Sequence, residues 1–195
     1  MAFGMPRQVE RFIYLWSFIN HMLKELTMLA PFFSDPSRAY SAREIAAKSG
    51  ASHVTISKRL KRLPFIKREK YGPYLGFKAE ITEEFTRLRW IYNMQKIWDS
   101  GLIEKLRSFY DEPDIVLFGS YAAAVNSRDS DIDIAVVSTH KKKLDCSGLE
   151  KKIGHKVQLF IYTKKDIEKM KSSQPELLNS ICNGIVLSGE LEVFV

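Results

Sequence analysis

The stretch "LFGSYAAAVNSRDSDIDIAVV", residues 117–137, decides how the rest of the chain is read. An apolar run, "IVLFGS" (115–120), enters a turn of small residues at Gly119-Ser120, and a second apolar run follows that contains Asp131-Ile132-Asp133. The first run predicts a short buried strand, and "SYAAAV" (120–125) the start of a helix. At such a turn the N–H groups of the helix start point outward, and the absence of large side chains lets an anionic phosphate come close. Gly-Ser turns are common, so the turn alone says little. The aspartates say more. Side chains alternate along a strand, so Asp131 and Asp133 project to one face while Ser130 and Ile132 take the other. Two adjacent carboxylates repel unless a cation lies between them, and hard oxygen donors suit Mg2+ or Mn2+. A phosphate turn beside a carboxylate pair is a layout for in-line phosphoryl or nucleotidyl transfer. The plain alternative is a turn followed by a strand with two solvated acids.

Upstream of this stretch, Asp111-Glu112-Pro113-Asp114 marks a boundary, and the charge changes across it. Residues 1–110 carry 19 Lys and Arg against 10 Asp and Glu, whereas residues 111–195 carry 11 against 13. A basic half joined to a mildly acidic half predicts two domains with different partners, the basic one suited to nucleic acid. With 45% hydrophobic and 27% charged residues the chain has the composition of a soluble globular protein. Its two cysteines, Cys146 and Cys182, make neither a disulfide framework nor a zinc site; they are expected as buried small hydrophobes in a reducing cytoplasm. The apolar "FIYLWSFI" (12–19) is too short to span a bilayer and no small-residue cleavage site follows it. Phe12, Leu15, Ile19, Met22 and Leu26 instead recur at helical spacing. No membrane partner is expected.

In the basic half, "SAREIAAKSGASHVTISKRLKRL" (41–63) holds a compact pattern. Ser41 and Glu44 form a capping box, and Ile45 and Ala46 give the apolar side of a short helix. Gly50 breaks that helix and Ser52 caps the next, where Ile56, Leu60 and Leu63 share a face opposite Val54, Lys58, Lys61 and Arg62. "FIKREK" (65–70), the turn at Tyr71-Gly72-Pro73 and "YLGFKAEI" (74–81) predict a basic hairpin. The segment over about residues 20–80 resembles a winged helix-turn-helix of bacterial and archaeal transcription regulators. That resemblance implies duplex DNA as partner, with Ser52, His53, Thr55, Lys58 and Arg62 on the second helix and Lys67, Arg68 and Lys70 on the wing. The other reading is a solvated basic surface, or a winged helix used for protein contacts. His53 has no metal-ligand spacing to His21, His140 or His155.

The strand, Gly119-Ser120 and Ser130-Asp131-Ile132-Asp133-Ile134 together resemble the nucleotidyltransferase superfamily that includes DNA polymerase β, in particular its minimal nucleotidyltransferase branch. The resemblance covers roughly residues 111–195. It implies that Gly119, Ser120 and Ser130 contact nucleotide phosphates. It also implies that Asp131 and Asp133 are catalytic and hold Mg2+ or Mn2+, and that an NTP is substrate or ligand. The expected architecture is α+β. A winged helix-turn-helix domain with an extra N-terminal helix occupies 1–80, a connecting helix 81–110, and a mixed-sheet nucleotidyltransferase fold 111–195. The aromatic stretch 85–98 is expected at a domain or homodimer interface.

Departures from the family pattern divide the functional reading. The family commonly has Arg-Gly where this chain has Ala123-Ala124, so a cation is missing, for which Arg128 or the lysines 141–143 are substitutes. Active members carry a third carboxylate on a later strand. Here that strand is "HKVQLFIY" (155–162) and the matching position is Gln158, unless Glu150 or Asp166 supplies the charge. An amide is a feeble base and a poor metal ligand. One reading is a Mg2+-dependent enzyme that transfers a nucleoside monophosphate to an acceptor hydroxyl. The alternative is a DNA-binding regulator whose impaired nucleotidyltransferase-like domain binds nucleotide or a protein partner.

Overall fold

The structure is a computed structural model that describes residues 25–192. Most of the helix expected on Phe12 to Leu26 lies outside them. The chain divides into two units, Met1–Phe85 and Thr86–Val195.

The first unit begins, within the described residues, with a helix over 25–34 (α1) that buries Leu26, Met28, Leu29, Phe32 and Phe33. Two short helices follow, α2 (Ala42–Ser49) and α3 (His53–Leu60). The capping box opens α2: Ser41 Oγ accepts the Glu44 N–H at 3.2 Å, and Glu44 Oε2 accepts the Ser41 N–H at 2.7 Å. Gly50 closes it at φ 69°, a left-handed cap that glycine takes without steric cost. Ile56 and Leu60 turn the inner face of α3 into the core. Strands β1 (Ile66–Tyr71) and β2 (Tyr74–Ala79) form an antiparallel hairpin, and Tyr40 bridges to Phe77 beside it. The second strand stops two residues short of the expected end, leaving Ile81 69% exposed. Thr82 Oγ1 accepts the Phe85 N–H at 3.2 Å and caps α4 (Glu83–Ser100).

In the second unit, α4 and α5 (Leu102–Tyr110) are not a connector but part of the core. Met94, Ile97, Leu102, Ile103, Leu106 and Tyr110 pack with Ile115, Leu117, Ile132, Ile134 and Val136 of the sheet. Apolar positions at helical spacing bury wherever a sheet face needs covering, and this face needed it. Trp90 and Trp98, the expected interface aromatics, are 38% and 54% exposed.

The sheet has order β5-β4-β3-β6, from β3 (Asp114–Phe118), β4 (Ile132–Val137), β5 (Val157–Tyr162) and β6 (Ile185–Ser188). β3 pairs antiparallel with β4 and β6, whereas β4 and β5 are parallel, so the sheet is mixed. A parallel pair needs a crossover, and α7 (Ser147–Ile153) lies in it. The other sheet face carries Val116, Phe118, Ala135 and Val137, covered by Ile167 and Met170 of α8 (Lys164–Ser173) and Leu178 and Ile181 of α9 (Pro175–Cys182). The two central strands are covered on both faces, which is why they read as near-continuous apolar runs. The helix expected over 120–125 is a single turn, α6 (Gly119–Ala122). Of the cysteines, Cys146 is buried as expected but Cys182 is exposed. Among the described residues, no helix is long and apolar enough to cross a membrane.

Candidate functional site

Antiparallel pairing of β3 with β4 puts Phe118 opposite Asp133, so the turn that leaves β3 stands beside the start of β4. Gly119 takes φ 73°, and a Cβ there would lie 2.5 Å from Asp133 Oδ2. Glycine is thus required twice over, by backbone conformation and by the approach of the carboxylate. The turn and the aspartate meet as the sequence order implied.

Asp133 is half-buried and Asp131 exposed. Burial, and then the negative charge of Asp131, raise the Asp133 pKa above the ordinary aspartate range. A cation between the two would relieve that repulsion. Among the described residues no group of three or more His, Cys, Asp or Glu side chains is placed to hold a metal. The donor set is two carboxylates. That suits Mg2+, which keeps several waters and completes its shell with substrate phosphates rather than a protein cage.

The parallel register places Gln158 directly beside Asp133, on the exposed part of β5. Neither substitute acid reaches that position. Glu150 Oε1 accepts the Val157 N–H at 2.8 Å. Asp166 caps α8 past the far end of β5, where it pairs with Lys141 at 2.8 Å; Lys141 and Thr163 hold its carboxyl well below the usual range. Lys141 is therefore committed elsewhere, and lysines 141–143 follow the end of β4 remote from Asp133. Arg128 is exposed in the loop between the two motifs. Ser130, expected at phosphate, closes that loop: its Oγ accepts the Ser127 N–H at 2.8 Å.

Sequence reasoning missed what holds the loop. Arg89 of α4 is 2% exposed and donates to the Ala124 carbonyl at 3.3 Å and to the Asn126 carbonyl. One turn on, Asn93 Nδ2 donates to the Tyr121 carbonyl at 3.2 Å and to Asn126 Oδ1 at 2.9 Å. Ala124, where the family resemblance implied glycine, sits at φ 55° in the left-handed region with its carbonyl held by Arg89. Burial lowers the Arg89 pKa, and among the described residues its Nε and the Tyr121 hydroxyl are buried without a hydrogen-bond partner. At the other end of the loop, His155 Nδ1 lies 2.9 Å from the Ser130 carbonyl, an arrangement that makes Nδ1 the donor. Burial is the main cause of its lowered pKa, and Lys96 and Arg89 add to it. The one signal for the α4 residues is the helical spacing of Arg89, Asn93 and Lys96 along one row.

In the first unit, Ser52 and Thr55 are engaged with each other: Ser52 Oγ accepts the Thr55 N–H at 3.2 Å and lies 2.9 Å from Thr55 Oγ1. His53, Lys58, Arg62, Arg68 and Lys70 are exposed. Lys67 is exposed too but is paired with Glu80. A groove between α2, α3 and the hairpin is lined by Arg43, His53, Val54, Lys58, Tyr71 and Leu75, among others.

Residues 100–185 match the family described as nucleotidyltransferase domain. No curated protein and no solved structure matches the chain.

Proposed function

We propose that the C-terminal unit is a nucleotidyltransferase that moves a nucleoside monophosphate from an NTP to an acceptor hydroxyl. The observation that carries this is the contact of Gly119 with Asp133, which sets the small-residue turn against one carboxylate of the Asp131/Asp133 pair. In the reaction the acceptor oxygen attacks the α-phosphorus, the bond to the β-phosphate breaks, and pyrophosphate leaves. Gly119 and Ser120 would cradle phosphate oxygens with backbone N–H groups, and Asp131 and Asp133 would hold Mg2+ or Mn2+. A bound divalent ion would neutralise the charge that builds on the phosphates. Asn93 and Arg89 fix the loop joining the two motifs, so the turn keeps its place against Asp133. With Gln158 beside Asp133, the chain offers no carboxylate base at the third position, and the acceptor proton leaves to solvent or to pyrophosphate. Slow turnover follows from that.

Support for nucleic acid as the other partner comes from the first unit. Its two short helices followed by a hairpin support a winged-helix reading, in which the exposed cations on α3 and β1 would meet duplex phosphates. The second reading, a DNA-binding regulator with a weakened nucleotide site, is favoured by Ala123 and Gln158. Its exposed Cys182 thiol suits a reducing cytoplasm.

Labelled ATP tests the choice. With Mg2+ and DNA, RNA or protein acceptors, transfer of α-label but not γ-label supports the enzyme. Metal-dependent nucleotide binding without transfer supports the regulator. A folded sample that neither binds nor transfers overturns both accounts of the site.

A further inference from the structure

The row on α4 that meets the site loop does not end with Asn93. Lys96 follows at the next turn, and unlike Arg89 and Asn93 it spends nothing on the loop. Its ammonium lies 5.6 Å from the centre of the Tyr92 ring, and among the described residues it meets no carboxylate within ion-pair reach. Burial lowers its pKa. A half-buried cation without an anion weakens the fold, and an apolar side chain of the same length would not.

Its position gives the charge a use. Lys96 Nζ stands 3.9 Å from where a Cβ of Gly154 would be. Gly154, His155 and Lys156 lead into β5 and clasp the segment around Asp131. His155 Nδ1 meets the Ser130 carbonyl at 2.9 Å, and the Ile132 N–H donates to the Lys156 carbonyl at 2.8 Å. Lys96 thus stands at the start of the segment whose next two residues hold the backbone on either side of Asp131, in a site where Ala123 withholds the usual cation.

We propose that Lys96 binds a phosphate group of the ligand that enters beside Asp131, on either the nucleotide or an acceptor strand. This rests on the nucleotidyl-transfer reading and assigns the missing cation to a different element.

The test uses the full chain with Lys96→Met, which keeps the stem, and Lys96→Arg, which keeps the charge. Probes are inorganic tripolyphosphate with Mn2+ and a short single-stranded DNA. For Lys96→Met the expected result is a thermal midpoint equal to or above wild type, with affinity for one probe lower by about tenfold. Lys96→Arg retains the affinity. A loss confined to tripolyphosphate assigns the phosphate to the nucleotide, and a loss confined to DNA assigns it to the acceptor. Unchanged affinities in Lys96→Met overturn the proposal, as does a lowered midpoint with equal losses in both variants. A wild type that binds neither probe overturns the nucleotidyl-transfer reading and this proposal together.

Discussion

Asp133 carries a cost that a bound cation would offset under the proposed function. Its pKa is raised in the folded chain by burial and by Asp131, so its ionised form subtracts stability. That loss is absent below the ordinary aspartate range and grows as pH rises through the folded pKa. In metal-free buffer, Asp133→Asn should therefore raise the thermal midpoint at neutral pH, with the gap closing as the pH falls below the ordinary aspartate range. Mn2+ should raise the wild-type midpoint and leave the variant's unchanged. A neutral-pH midpoint below wild type would contradict the argument. Gly119→Ala is expected to lose about 1–3 kcal/mol in chemical denaturation, from its left-handed backbone and the clash with Asp133. It should also lose metal-dependent nucleotide binding. Both residues were legible in the sequence because a strand's two-residue period and a small-residue turn are local properties. Gln158 was reached through the family resemblance, and the parallel register sets it beside Asp133.

At the scale of elements, α4 was expected as a connector, yet its Met94 and Ile97 pack with the sheet of the second unit. Its apolar residues gave the helix but not what the helix covers, since periodicity shows that a face is buried and not against which sheet. The loop between the two motifs depends on it. Asn93→Ala would leave Asn126 Oδ1 without its donor in a buried place and take the side-chain donor from the Tyr121 carbonyl, which keeps the Ala124 N–H. The expected loss is about 1–3 kcal/mol in denaturant unfolding, with nucleotide affinity falling further than the fold requires. If stability drops and nucleotide affinity does not, the loop is only a spacer. Arg89 was illegible because an arginine inside an amphipathic helix reads as a solvated charge; its burial comes from carbonyls of a loop 35 and 37 residues away. The short α6 shows the reverse error. "SYAAAV" has the propensity of a longer helix, yet Ala124 at φ 55° ends it.

Across the whole molecule, the charge changes at residue 110, from 19 Lys and Arg against 10 Asp and Glu to 11 against 13. The two units meet at Phe85 and Thr86, so most of α4 and all of α5, expected as a connector over 81–110, fall in the second. If the first unit binds duplex DNA through α3 and the hairpin, affinity falls steeply with salt. Lys58→Ala should weaken binding to all sequences and lower the slope of log affinity against log salt by about 1. An unchanged slope in a gel-shift series would remove Lys58 from the interface. The central claim, that Gly119-Ser120 and Asp131/Asp133 form one metal and phosphate site, is tested most directly by a crystal structure with Mn2+ and a non-hydrolysable NTP. The predicted result is a Mn2+ anomalous peak bound by both aspartates, with triphosphate oxygens on the Gly119-Ser120 turn. Metal or triphosphate bound elsewhere, with the aspartates free, would contradict it.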